Sequence, residues 1–192
     1  HTIWNAVSRI LSRELTVITP DLRGYGASPS AEPFTMEAMA GDVAALLEKL
    51  NLEKVVLAGH SMGGYISLAF ASLYPQRLAG LALVNSICTA DNAEKRAGRL
   101  KLAELVERNG PEEVVKASLN QYSPVEAVRN RVHPLILRAP AATVSGCLRG
   151  MAQRGDTCAV LAGLNVPGMV IYGNQDALIP AERSLEMADS IP

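Results

Sequence analysis

Apolar residues in this chain fall into two alternating rhythms. Short β-branched runs occupy residues 15–19 (LTVIT), 55–58 (VVLA), 81–84 (LALV) and 168–173 (GMVIYG), and each reads as a strand. Between them the spacing is helical. Residues 4–13 are amphipathic, and a helix opens at Thr35 with Glu37 in its first turn and Met39, Val43, Leu46 and Leu47 on one face, ending near Asn51. Residues 63–74 and a segment from about Ala181 supply two more helices. Strand and helix in alternation predict an α/β fold, a mostly parallel sheet flanked by helices on both faces.

The rhythm changes between Thr89 and Asp156, where no strand pattern occurs. Gly110-Pro111 ends one helix and opens another, and Ser123-Pro124-Val125-Glu126 has capping-box spacing with proline at the first helical position. The segment therefore reads as a helical insertion, with residues 1–88 and 157–192 forming the sheet-bearing core and 89–156 the inserted helices.

A length of 192 residues, 48% of them hydrophobic, suits one domain with a substantial core plus a small insertion. Eighteen basic and 19 acidic residues give a net charge of −1 without long runs of either sign, so nothing marks a nucleic-acid or anionic membrane surface. No apolar run approaches the ~18 residues of a membrane span. Cys88, Cys147 and Cys158 are odd in number and show no close pairing, which reads as three reduced thiols in a cytoplasmic protein.

The chemistry concentrates at Gly59-His60-Ser61-Met62-Gly63, a G-x-S-x-G pattern preceded by a strand and followed by a helix. A serine at such a junction is pushed outward from strained backbone, and Gly59 and Gly63 are expected to relieve collisions, with Gly64 adding room. The helix start aims free N–H groups at the turn, making the Met62 N–H a candidate oxyanion donor. The plainer alternative is a helix-capping serine. A serine nucleophile needs a histidine and a carboxylate, in the chain order Ser, acid, His. Asp176, just past the strand at 168–173, is the candidate acid, its alternative being a turn aspartate. Asn85 and Ser86, after LALV, offer no carboxylate.

GHSMGG after VVLA, together with DLRGYGASP upstream and VPGMVIYGNQDALIP downstream, resembles the α/β-hydrolase family, in the branch of small esterases, lactonases and cofactor-free perhydrolases. The resemblance implies that residues 89–156 form a cap roofing the active site, and that DLRGYG, including Asp21, is a structural loop bordering it. It implies acyl transfer on a small ester or lactone, with C–C bond hydrolysis or peracid formation on the same residues as alternatives, and no cofactor or metal. Relatives that open epoxides or displace halide carry aspartate where this chain has Ser61. A pocket kept only for ligand binding is the alternative from another class.

None of the three histidines suits the role of base. His60 adjoins Ser61 and should point away from it, His133 precedes the acid within the helical segment, and His1 begins a helix. The resemblance also places a strand bearing the second oxyanion donor between LTVIT and VVLA in the sheet. Both gaps imply an internal portion of a longer protein, inactive alone, lacking roughly 20 to 30 residues before His1 and a few tens after Pro192.

Overall fold

A computed structural model describes all 192 residues. After a single turn of 3₁₀-helix at Thr2–Trp4, helix α1 spans Asn5–Leu11. Ile3 of the turn and Val7 and Ile10 of α1 face solvent, Ile10 at 64% exposure. Residues 15–19, expected as a strand, form no ladder. A strand exists only by pairing, and nothing lies beside LTVIT to accept its backbone groups.

Helix α2, Met36–Lys49, starts where the sequence places it: the Thr35 hydroxyl accepts the Ala38 N–H at 3.1 Å. Strand β1, Val55–His60, leads into α3, Met62–Leu73, and β2 follows at Leu78–Val84. Helices α4 (Ala93–Asn109), α5 (Glu112–Tyr122), α6 (Glu126–Leu137) and α7 (Ala141–Gln153) fill the strand-free stretch. A short α8, Cys158–Ala162, precedes β3, Gly168–Ile171, and α9, Ala181–Asp189. The α6 start differs from the capping-box reading. The Ser123 hydroxyl accepts the Val125 N–H at 3.1 Å, only two residues on, so it closes a turn and the helix begins at Glu126.

The three strands run parallel in the order β1-β2-β3, with His60 level with Val84 and Val84 level with Ile171. That register brings all three carboxyl ends to one rim. The core lies between α2, α3 and the sheet, built on Met36, Met39, Leu68, Phe70, Leu78, Leu83 and Leu161. A separate small cluster of Ala103, Val106, Val114, Val144 and Leu148 holds α4, α5 and α7 together. The loop at residues 21–26 is pinned by Arg23, which donates to both Asp42 oxygens at 2.6 and 2.7 Å and to the Pro33 carbonyl at 2.6 Å. Thr143 of α7 donates from its hydroxyl to the Gly24 carbonyl at 3.2 Å and ties the helices to that loop.

The cysteines correct the sequence expectation. Cys88 and Cys158, 70 residues apart, are joined as a disulfide, and only Cys147 is free. Local spacing could not show this, because the two approach only once the inserted helices return the chain to the end of β2. Burial pushes the Cys147 thiol up to about 11, which leaves it protonated and unreactive.

Candidate active site

Strand β1 ends at His60, and the chain turns through Ser61 at φ 51°, ψ −116°, a positive-φ conformation costly for any residue but glycine. Three contacts hold it there. The Ser61 N–H donates to the Val84 carbonyl at 2.9 Å, its carbonyl accepts the Gly64 N–H at 2.8 Å, and the Ser86 hydroxyl donates to that same carbonyl at 3.0 Å. Although Ser61 occupies the N-cap of α3, its hydroxyl makes no capping bond, so the capping alternative is not what the structure contains. The Met62 N–H, first in the helix, donates to no protein atom and stands at the positive end of the helix dipole.

The glycines distribute differently from the motif's expectation. A Cβ on Gly59 would collide with the Gly63 carbonyl and stand 2.5 Å from Ser67 Oγ; one on Gly64 would collide with the Ser86 side chain. One on Gly63 would meet nothing within 4 Å. The tight positions are thus Gly59 and Gly64, because the first turn of α3 crosses β1 at its backbone and β2 just beyond its end.

Asp176 reaches the same rim from β3. Its Oδ1 accepts the Leu178 and Ile179 N–H groups at 2.8 and 3.0 Å, and its Oδ2 accepts Asn85 Nδ2 at 2.6 Å. The turn-aspartate reading is what these bonds show: one oxygen organises the turn while the other takes the Asn85 amide at the end of β2. Asn85, itself at φ 45° immediately after β2, donates its N–H to the Ile171 carbonyl at 2.8 Å. Sequence reasoning passed over Asn85 for lacking a carboxylate. Its signal was its place at the carboxyl end of a strand, where an amide can orient an acid as well as replace one.

β1 and β3 flank β2, so Ser61 and the Asp176 turn hang from strands about 10 Å apart. No hydrogen bond joins the Ser61 hydroxyl to the Asp176 carboxylate, whose partners are Leu178, Ile179 and Asn85. His60 does not fill the gap: its ring meets Trp4 edge-on, centroids 6.5 Å apart. Desolvation by the surrounding protein holds the His60 pKa below its ordinary value, and the nearby Asp176 charge opposes this. His133 lies within α6, and His1 Nδ1 approaches Asp21 Oδ1 at 2.6 Å. Two cavities, one beside Met36, Tyr65 and Arg154 and one beside Cys88, Cys158 and Met187, flank this rim without including Ser61 or Asp176.

A family model for the alpha/beta hydrolase fold matches residues 2–111. The chain belongs to the α/β-hydrolase fold family. It is similar to a thermophilic esterase from Thermogutta terrifontis, solved with malate bound, at 39% identity and a TM-score of 0.95, covering 100% of this chain and 73% of that one. It is 31% identical over 199 residues to the protein named "Putative carbamate hydrolase RutD" of Agrobacterium fabrum (strain C58 / ATCC 33970), covering 98% of this chain and 76% of the relative. It is 33% identical over 187 residues to the dihydrolipoyllysine-residue acetyltransferase component of the acetoin cleaving system of Pseudomonas putida, covering 91% of this chain but 48% of that protein. The α/β-hydrolase chain thus spans about half the length of this last relative and about three quarters of the other two.

Proposed function

We propose that this α/β-hydrolase acts by acyl transfer on carboxylic esters or lactones, with Ser61 as nucleophile. The observation that carries the reading is the Ser61 turn: a hydroxyl freed from capping on a positive-φ residue, beside an unpartnered Met62 N–H, level with a carboxylate held by Asn85. In this mechanism Ser61 Oγ attacks the carbonyl carbon while a histidine takes its proton, and the Met62 N–H donates to the oxyanion. The alcohol leaves with that proton. Water then repeats the sequence on the acyl-enzyme and releases the acid. Asp176 orients the imidazole and stabilises its charge, and the histidine comes from residues outside these 192, since none of the three present reaches the gap. Residues 89–156 are the cap. The Thermogutta esterase and the Agrobacterium protein support hydrolysis of an acyl bond. The expectation of a cytoplasmic protein rested partly on free thiols, and the Cys88–Cys158 pairing removes that support.

The alternative reading is a receptor that keeps the fold without the chemistry. Fluorophosphonate treatment of the full-length protein separates the two. Modification of Ser61, abolished in Ser61→Ala, is expected for the enzyme; an unreactive Ser61 in folded protein refutes the nucleophile and leaves the receptor.

A further inference from the structure

Arg154 is a buried cation to which acyl transfer gives no role. Its side chain retains 4% of its exposure, a placement a guanidinium tolerates only with partners on every side. Those partners come from three parts of the chain. Nη2 donates to the Thr89 carbonyl at 3.0 Å, and Nη1 lies 3.0 Å from Asp91 Oδ1, both on the stretch leading from β2 into α4. Nη1 also donates to the Met151 carbonyl at 2.8 Å, in the last turn of α7. The guanidinium carbon sits 3.9 Å from the centre of the Tyr65 ring on α3, one turn beyond Ser61.

Asp91 is more deeply enclosed still, at 1% side-chain exposure, and its second oxygen accepts Arg99 Nε of α4 at 2.6 Å. Its Oδ1 has the Arg154 charge beside it without hydrogen-bond alignment, so that pair acts as an ion contact. The Cys88–Cys158 bond joins the two ends of the helical segment nearby, and the Thr143 hydroxyl ties α7 to the Gly24 carbonyl, but neither bond reaches α3. The guanidinium, bonded to both ends of the segment and lying over the Tyr65 ring, does.

We propose that Arg154 is a positioning residue that registers helices α4–α7 on the nucleophile helix α3 and so fixes the height of the roof over Ser61. The proposal rests on the acyl-transfer reading only for its kinetic consequence. Lysine keeps the charge and loses both the fork and the stack, so Arg154→Lys is expected to behave much like Arg154→Gln.

The test uses the full-length protein, p-nitrophenyl esters from acetate to octanoate, and hydrogen exchange measured by mass spectrometry. In Arg154→Gln and Arg154→Lys, KM for the octanoate is expected to rise about tenfold or more while kcat for the acetate stays within about threefold, because a displaced roof is felt by long acyl chains and hardly by short ones. Exchange is expected to quicken across residues 93–153 and not across α3. An unchanged chain-length profile with unchanged exchange overturns the proposal, as does an equal loss of kcat on every ester. Should the wild type hydrolyse none of these esters and Ser61 resist fluorophosphonate, acyl transfer fails, and exchange alone then decides whether Arg154 registers the helices. If the glutamine variant does not fold, the lysine variant carries the test.

Discussion

Three glycines crowd the Ser61 turn, and the structure ranks them in an order the motif alone does not. In Gly59→Ala the new methyl collides with the Gly63 carbonyl, which belongs to the backbone of α3 and cannot rotate away, and stands 2.5 Å from Ser67 Oγ. Relief requires moving α3 off β1, so the cost is expected at or above the upper end of core overpacking, about 3 kcal/mol. In Gly64→Ala the collision is with the Ser86 side chain, whose hydroxyl bonds the Ser61 carbonyl. Displacing Ser86 forfeits that bond, and the expected loss is about 1–3 kcal/mol. Ser86→Gly removes the obstacle, so the double variant should be more stable than the sum of the two single losses. Gly63→Ala meets nothing and lies in helical backbone at ordinary φ, where alanine exceeds glycine by up to about 1 kcal/mol. Urea unfolding of the full-length protein, read at constant m-value, measures all five variants, Ser86→Gly alone included. If Gly63→Ala destabilises as much as Gly59→Ala, the geometry of the turn described above is wrong.

Three further outcomes are expected. Reducing the Cys88–Cys158 bond opens a loop of 70 residues and should cost up to about 4 kcal/mol by chain entropy, read as a fall in the urea midpoint with phosphine reductant; thiol counting on the unreduced protein unfolded in urea must find Cys147 alone free among these three cysteines. Asn85→Ala removes the only side-chain donor to the Asp176 Oδ2 and should lower kcat about tenfold in a folded variant; kcat equal to wild type would show that the amide does not hold the carboxylate for the reaction. Burial raises the Asp91 pKa but Arg99 and Arg154 outweigh it, leaving the carboxyl below its ordinary value, so its contribution is complete above about pH 4 and fades as pH falls through the lowered folded value; Asp91→Asn should flatten that part of the stability curve and leave pH 6–8 without slope change.

The elements most legible in the sequence were those whose stability is local or whose partner lies within the chain. Thr35 caps α2 because a hydroxyl three residues before a free N–H needs no tertiary context. VVLA, LALV and GMVIYG pair with one another in register, so their apolar runs translate directly into a sheet. LTVIT carries the same composition and forms no strand, since β propensity expresses a fit to neighbours that are not beside it. One face of the sheet shows the other half of that relation: Val56, a β-branched residue suited to burial, is 69% exposed, and Met169 and Ile171 of β3 are exposed in good part. The disulfide was illegible for a topological reason, as four helices and their loops separate the two cysteines, 70 positions apart, before the sulfurs meet.

For the site, sequence pointed to candidate reacting groups and missed those that hold them. Ser61 and Asp176 are candidates from a motif and a chain order, because the proposed chemistry constrains residue type at those positions, while at Met62 it needs only the backbone N–H. Asn85, Ser86 and Arg154 follow from no such constraint: an amide, a hydroxyl or a guanidinium is common on any chain, and each acquires meaning only from what it touches. All three nevertheless sit where strand ends or the inserted helices meet the core, at positions readable from the strand and helix pattern alone. Asn85 and Ser86 directly follow β2, and Arg154 directly follows α7. In a parallel sheet the carboxyl ends converge, so any polar residue one or two steps past a strand is within reach of the reacting groups whatever its type. A search by position at those ends, taken before a search by residue type, would have placed Asn85 beside Asp176 from the pattern of LALV and GMVIYG without coordinates.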